Sequence, residues 1–505
     1  MINQSRATSQ TRSFTTVSLI EMWERFGYYG MAALLVLFMI DKVGFADDDA
    51  NLTWGAFSAL VFSAPSIGGW IGDKVLGARR TMTVGALVLS LGYFMLALPY
   101  DALGFMYTSL GVIVVGNGLF KSNAANLVRR IYEGDDARID SAFTIYYMAV
   151  NIGSTFSMLA TPWIKDHWGW HTAFAVCCGG MLLGLLNFAL MHRTLARIGS
   201  APDDEPMRWD RFFAVAAGSV ALAAATVFIL QHQTVARICV WAAGTGILVT
   251  FGHMLRTCDR SERAGLVAAL ILTLQVILFF VFYQQMSTSL TLFALRNVDP
   301  AFSIASAQLF TWSAAQFQAL NPIWIMILSP VLAFAYAGLA RRDRDVSVAG
   351  KFALGFVVVA LGFFVFGVSG RYAVEGRVSS WFMVAGYGLY SLGELLVWGL
   401  GLAMIARYVP ARMGGFMMGA YFVATGVSQY LGSVVANLAR MPSGDLDPLH
   451  SLPLYTRLFT CLGWLATGGA VIALMLLPLL GKLSRAHHRA AEGETGERFE
   501  PASAS

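Results

Sequence analysis

Two carboxylates and a guanidinium stand within five residues near the start of the chain, in EMWERFGYYG (21–30): Glu21, Glu24 and Arg25. Residues three and four apart share one face of a helix. The three charges therefore form a stripe, which Tyr28 and Tyr29 extend with phenols. Such a stripe has two uses: Arg25 can hold an anion, and a carboxylate can hold or release a proton. The difficulty is the run that follows, GMAALLVLFMI (30–40), which reads as lipid-soluble. A charge at the centre of a bilayer helix costs roughly 2.5–3.5 kcal/mol on insertion scales.

Two further charges sit deep in apolar runs. Lys121 lies in GNGLFKSNAANL, among Asn117, Asn123 and Asn126, with Gly116 and Gly118 allowing close backbone approach. Glu394 lies in YSLGELLVWGLGL. Asn151 sits in FTIYYMAVNIGS with Tyr146 and Tyr147, and Asn321-Pro322 is expected to interrupt an apolar helix in QFQALNPIWIMILSP. Near-end charges such as Asp41, Asp73 and Arg296 read as snorkelling or turn capping. Deep charges instead face a water-filled cavity or each other, and mark a substrate or proton path. Three carboxylates against two cations leave one net negative charge. Removing a carboxylate from water favours its protonated form, and one proton would neutralise the set. The eight histidines all fall at span ends, so carboxylates must carry any proton. This charge set suits a proton-coupled carrier for a zwitterion.

The elements that position these residues follow from composition. Of 505 residues 57% are hydrophobic and 13% charged, with mean hydropathy +0.61; a soluble domain carries about 25% charged residues. The chain reads as an all-α polytopic membrane protein. Spans are expected at 14–41, 53–74, 81–99, 104–128, 139–164, 171–192, 211–231, 236–255, 264–295, 306–340, 351–369, 379–408, 414–438 and 454–481, fourteen in all. The N-terminal segment is polar and lacks the features of a signal peptide. Basic residues gather in alternate loops, at Lys74, Arg79 and Arg80, Arg129 and Arg130, Arg193 and Arg197, Arg256, Arg260 and Arg263, Arg341, Arg342 and Arg344, Arg407 and Arg412, and in the tail. That places both termini in the cytoplasm. The net charge of +5 follows from this topology and calls for no nucleic acid. Five cysteines fit no metal site and read as small hydrophobes.

A polar connection at 193–210 separates six spans from the rest. Spans seven and eight (211–255) contain almost no ionisable residue and read as lipid-facing packing. Removing them leaves two six-helix bundles: 1–192, then a 193–263 insert with two extra helices, then 264–481 and a cytoplasmic tail, 482–505. GGWIGDKVLGARRT (68–81) and AYAGLARRDRD (335–345) echo each other weakly. Paired repeats with a site between them at the midplane are a recurring transporter plan.

EMWERFGYYG resembles the signature of the proton-dependent oligopeptide transporter family, within the major facilitator superfamily. Glu21, Glu24, Arg25, Phe26, Tyr28, Tyr29 and Gly30 all match. GGWIGDKVLGARRT, GNGLFKSNAANL, FTIYYMAVNIGS, QALNPIW and LGEL follow in the family's order. Two bundles with two helices inserted between them is what its bacterial members show. The resemblance implies that Arg25 and Lys121 hold a peptide's carboxylate, and that Glu394, Asn151 and Asn321 hold its amino terminus. Glu21, Glu24 and Arg25 would couple the proton. From the aromatic pattern as well, Tyr28, Tyr29, Phe62, Tyr147, Phe282, Gln284 and Trp398 are expected to line the cavity, with Tyr283 and Trp312 further pocket walls. Lys121 paired with Glu394 would close the cytoplasmic side.

Departures from the family pattern concern shape and gating. Ala32 stands where many members carry Arg, and Gln284 where its acidic partner is expected. Both ends of an outer salt bridge are missing together, which resembles enterobacterial dipeptide and tripeptide permeases. Phe62 replaces a common Tyr, and Trp398-Gly399 replaces Ser-Pro after LGEL. The expectation is a proton-coupled symporter of di- and tripeptides in a bacterial inner membrane. It would use no cofactor beyond the proton gradient, with peptides, protons and the bilayer as partners of a monomeric carrier. The alternative is a carrier of another small zwitterion or anion. No nucleophile elbow, metal spacing or phosphate loop points to an enzyme, and no ring of repeated charge points to a channel.

Overall fold

Helices form where the apolar runs lie. In chain order they are α1 (Ile2–Asp41), α2 (Asp47–Ser63), α3 (Pro65–Lys74), α4 (Ala78–Ala97), α5 (Leu103–Ile131), α6 (Asp136–Trp168), α7 (Trp170–Met191), α8 (Ala201–Asp204), α9 (Trp209–Gln231), α10 (Gln233–Thr257), α11 (Arg260–Tyr283), α12 (Ser289–Asn297), α13 (Leu320–Ala340), α14 (Val348–Ser369), α15 (Trp381–Tyr408), α16 (Ala411–Ala436) and α17 (Pro448–Gly496). The computed structural model describes residues 2–99, 103–134, 136–304, 307–342, 346–409, 411–441 and 447–496. Arg344 and residues 497–505 lie outside the described residues, as do the side chains of Arg260, Arg407 and Arg412.

Every expected span has its helix or helix pair. Span two is α2 and α3, joined at Pro65; span nine is α11 and α12, joined by a 3₁₀ turn over Gln284–Ser287. Among the described residues, nine helices are long and apolar enough to cross a membrane. The helix carrying Glu21, Glu24 and Arg25 is not one of them. The last helix runs on to Gly496, so the tail from 482 begins as its continuation.

In the first half α1 packs on α6 and α7, and α4 on α5. In the second, α14 packs on α15 and α17, and α11 on α16 and α17. The α2–α16 contact joins the halves. The inserted pair straddles them: α9 lies on α5, and α10 on α16. Small residues set how closely the first-half helices approach. A methyl group at Gly68 would strike the Gly118 carbonyl, and one at Gly118 would sit 2.8 Å from the Ala64 Cβ. This tight crossing of α3 and α5 brings Phe62 beside Lys121.

Three local expectations are corrected. Span ten was expected from 306. Instead β1 (Ala301–Ile304) and β2 (Ala307–Thr311) form an antiparallel hairpin in which Phe302 faces Phe310. Trp312 packs there against Phe302, Phe310 and Phe317, outside the cavity described below. Asn321-Pro322 does not break a helix. It stands in the first turn of α13, where proline's missing N–H is harmless.

Arg296 does not snorkel. It is 7% exposed and donates twice to Asp47, at 2.6 and 2.7 Å, and once to Tyr455, at 2.8 Å. Asp47 opens α2 and Arg296 closes α12, so the pair joins the halves at the end opposite the basic loops. Arg440 to Asp48 (3.0 Å) and Asn51 to Asn437 (2.9 Å) bridge the same end.

The polar connection is also anchored. The Asp203 carboxylate accepts the backbone N–H groups of Arg79 (3.1 Å), Arg80 (3.3 Å) and Ser200 (2.9 Å). It thus caps the α4 N-terminus, where a negative charge is favoured.

Candidate functional site

The α1 stripe folds in on itself. Glu21 is 3%, Glu24 0% and Arg25 3% exposed. Arg25 Nε lies 3.4 Å from Glu21 and bonds Glu24 directly. The guanidinium stacks over two phenols, 5.3 Å from the Tyr28 ring centre and 6.0 Å from that of Tyr29. One guanidinium therefore answers two carboxylates from its own helix. Buried polar atoms remain: one oxygen each of Glu21 and Glu24, one terminal nitrogen of Arg25, the Tyr93 hydroxyl and the Asn117 amide have no hydrogen-bond partner among the described residues. Native proteins seldom leave such groups unpaired, and those they leave cluster at functional sites.

Beside this stripe lies a cavity of about 60 Å³ between the halves. Tyr29, Phe62, Lys121, Tyr147 and Asn151 line it from the first half; Phe280, Tyr283, Asn321, Glu394 and Trp398 line it from the second. At roughly 10–15 Å³ of such space per water, it holds about four to six waters. Glu394 is 5% exposed and accepts a 2.7 Å bond from Asn321, which also donates to Ser391 at 3.1 Å. Asn151 donates to the Tyr147 carbonyl at 2.8 Å.

Lys121 and Glu394 share the cavity without an ion pair within 4.0 Å. The Lys121 ammonium sits instead 4.8 Å above the Phe62 ring. Phe62 meets Phe280 edge-on at 6.0 Å, and Phe280 meets Trp398 at 4.7 Å. Trp398 is one helical turn from Glu394. An aromatic chain thus links the two charged poles across the halves. Two of the departures from the family pattern, Phe62 and Trp398, are its ends. α15 runs unbroken through Gly399.

Tyr28, Ala32 and Gln284 line an adjoining recess with Tyr29, Phe62 and Tyr283. Gln284 donates to Ser433 at 3.0 Å. Phe282 lies elsewhere: it is fully buried against Phe356 and Phe363 in the second bundle. The helical period explains the correction. Positions 280, 283 and 284 share one face, and 282 points away from it. Tyr283, an expected pocket wall, does line the cavity, and Phe280, one turn before Gln284, is the residue the sequence reading missed.

Two bundles around a cavity that holds Lys121 from one half and Glu394 from the other define a secondary-transporter architecture. The chain belongs to the POT family, whose model matches residues 79–452. It is 41% identical over 488 residues to dipeptide and tripeptide permease A of Salmonella typhimurium (strain LT2), covering 96% of both chains. It is 40% identical over 480 residues to the protein of the same name from Escherichia coli (strain K12), covering 95% of this chain and 94% of that one. A crystal structure of tetrameric PepTSo2 is similar at 57% identity and a TM-score of 0.87, over 94% of this chain and all of that one. A peptide transporter POT crystallised with sulfate is similar at 28% identity and a TM-score of 0.81, over 94% and 95% of the chains. The chain is an integral membrane protein with several apolar helices.

Proposed function

We propose that this protein is a proton-coupled symporter that imports di- and tripeptides by alternating access. The observation that carries this reading is the pairing of poles in one cavity: Lys121, beside the Arg25 stripe, in the first half, and Glu394 in the second. A peptide brings a carboxylate and an ammonium group to such a site. The relatives' names as peptide permeases favour the same substrate class.

Arg25 and Lys121 bind the peptide carboxylate; Glu394, oriented by Asn321 and joined by Asn151, binds the amino terminus. Arg25 is already held by Glu21 and Glu24. Protonation of Glu24 loosens that hold and frees Arg25 for the incoming carboxylate. Proton and peptide binding then favour one another, which is the thermodynamic content of symport. The closed end is the periplasmic one, the basic loops and both termini face the cytoplasm, and the membrane is a bacterial inner membrane. Lys121 pairs with Glu394 when the cytoplasmic side shuts, leaving Phe62.

The test is dialanine uptake into liposomes holding the purified protein, under an inward proton gradient. Accumulation above the outside concentration, abolished by an uncoupler, is expected. Equilibration without accumulation would remove the proton coupling. Absence of dialanine uptake alongside uptake of another zwitterion would favour the alternative carrier.

A further inference from the structure

Outside the central cavity an apolar recess lies on the outer surface of the first half, between α3, α5 and α9. It is a groove of about 350 Å³, walled by Ile67, Trp70, Val75, Val115, Gly218 and Leu222, with Ser219 its one hydroxyl. It is open to the surroundings: Ile67 is 51% and Trp70 62% exposed. From Ala64 to Val75 the groove follows about 16 Å of helix, close to half of a roughly 30 Å hydrocarbon core. That is the reach of an acyl chain in one leaflet.

Its end toward the basic loops is charged. At Val75 the groove meets a second recess lined by Arg80, Arg208, Arg211 and Glu205. Arg208 is paired with Asp210 at 2.8 Å. Arg80 donates its guanidinium to the carbonyls of Pro202 and Glu205 and its backbone N–H to Asp203, so the recess sets three arginines against the carboxylates of Glu205 and Asp210. Among the described residues neither the Arg80 nor the Arg211 guanidinium has a carboxylate oxygen within 4.0 Å. Lys74, next to Val75, is exposed. An apolar slot of acyl length that ends in excess positive charge matches a lipid with an anionic headgroup.

We infer that this groove is a binding site for an anionic phospholipid, with an acyl chain between α3 and α9 and the headgroup phosphate at Arg211 and Lys74. The inserted helix α9 forms one wall of the site, which gives the insertion a role that its lipid-like composition hid.

Gly218 offers a clean probe. A Cβ placed there meets nothing within 4 Å, so the side chain of Gly218→Phe starts into the groove without a clash at its Cβ. The protein, delipidated in detergent, is mixed with equal phosphatidylglycerol and phosphatidylcholine of identical chains, and bound lipid is read by native mass spectrometry. The wild type is expected to retain phosphatidylglycerol about fivefold over phosphatidylcholine. Gly218→Phe should lose that retained lipid. Lys74→Gln with Arg211→Gln should bind both lipids equally. Ala214→Leu, on the same wall, stands in if Gly218→Phe does not fold. Equal retention of the two lipids by the wild type, or undiminished phosphatidylglycerol on a folded groove-filling variant, overturns the proposal.

Discussion

Asp47 and Arg296, 249 positions apart in the chain, form a buried two-bond ion pair that ties α2 to α12. It closes the end of the molecule where Ala32 and Gln284 leave no charge to pair. Removing one partner of a buried pair costs about 3–5 kcal/mol, because the other is left uncompensated. Here that cost falls on the closed arrangement alone, since opening re-exposes the survivor to water. Asp47→Asn should therefore shift the equilibrium toward opening of this end by on the order of a hundredfold or more. Spin labels at the exposed Leu103 and Leu438 report the separation, with exposed Cys239 and Cys461 replaced. A longer distance is expected, with partial return in the charge-reversed pair Asp47→Arg, Arg296→Asp. An unchanged distance would mean that the remaining bridges at Asp48 and Asn51 suffice.

The chain Lys121–Phe62–Phe280–Trp398 makes a second prediction. A cation–π contact is worth about 0.5–2 kcal/mol, more when desolvated. Phe62→Leu should weaken dialanine binding between about two- and thirtyfold. Trp398→Leu should weaken it by a similar factor. Both substitutions disturb Phe280, so the double variant should lose less than the product of the two. Dissociation constants from a double-mutant cycle decide this; strictly multiplicative losses would show that the chain is not a unit.

Helical period and charge burial made the site's members legible: Glu21, Glu24 and Arg25 are neighbours in sequence, and a lone Glu394 or Lys121 in an apolar run is conspicuous. Their partners were harder to find. Arg296 reads as a snorkelling end residue until Asp47 is brought to it from the other half. The one hint was sidedness, since Arg296, Arg440 and the acidic run Asp47–Asp49 fall on the same face of the membrane. Phe282 falls outside the cavity because the helical phase that brings Phe280 and Tyr283 to it turns position 282 toward Phe356 and Phe363. The strand Ala307–Thr311 falls inside the expected tenth span because QLF is as apolar as a span's first turn. Strand pairing there rests on Phe302 stacking on Phe310 at 4.5 Å, a contact the chain makes only by turning back.

Glu394 lines the cavity and is held there by Asn321, which bonds one of its oxygens at 2.7 Å. Glu394→Gln should weaken peptides with a free amino terminus by tenfold or more, and N-acetylated peptides far less. Asn321→Ala should give a smaller loss of the same kind, because it only orients the carboxylate. Competition of free and acetylated dialanine against a labelled peptide measures both. Equal losses for the two ligands would contradict the assignment.

Glu24 carries the sharpest prediction, because its contact with Arg25 joins the two halves of the mechanism. Glu24→Gln keeps the side chain's size and a hydrogen-bond acceptor but removes the charge and the titrating proton. If Glu24 couples the proton, the variant is fixed in the state that protonation produces. Arg25 is then held by Glu21 alone, at 3.4 Å, and stays available to peptide at any pH. Uphill accumulation should vanish, while exchange of labelled for unlabelled dialanine persists within a fewfold of the wild-type rate. The pH dependence of that exchange should flatten. Retained accumulation in the Gln variant would move the coupling proton to Glu21 or Glu394. Loss of exchange as well would mean that the Glu24 charge is needed to hold Arg25 in place, a structural role and not a proton-carrying one.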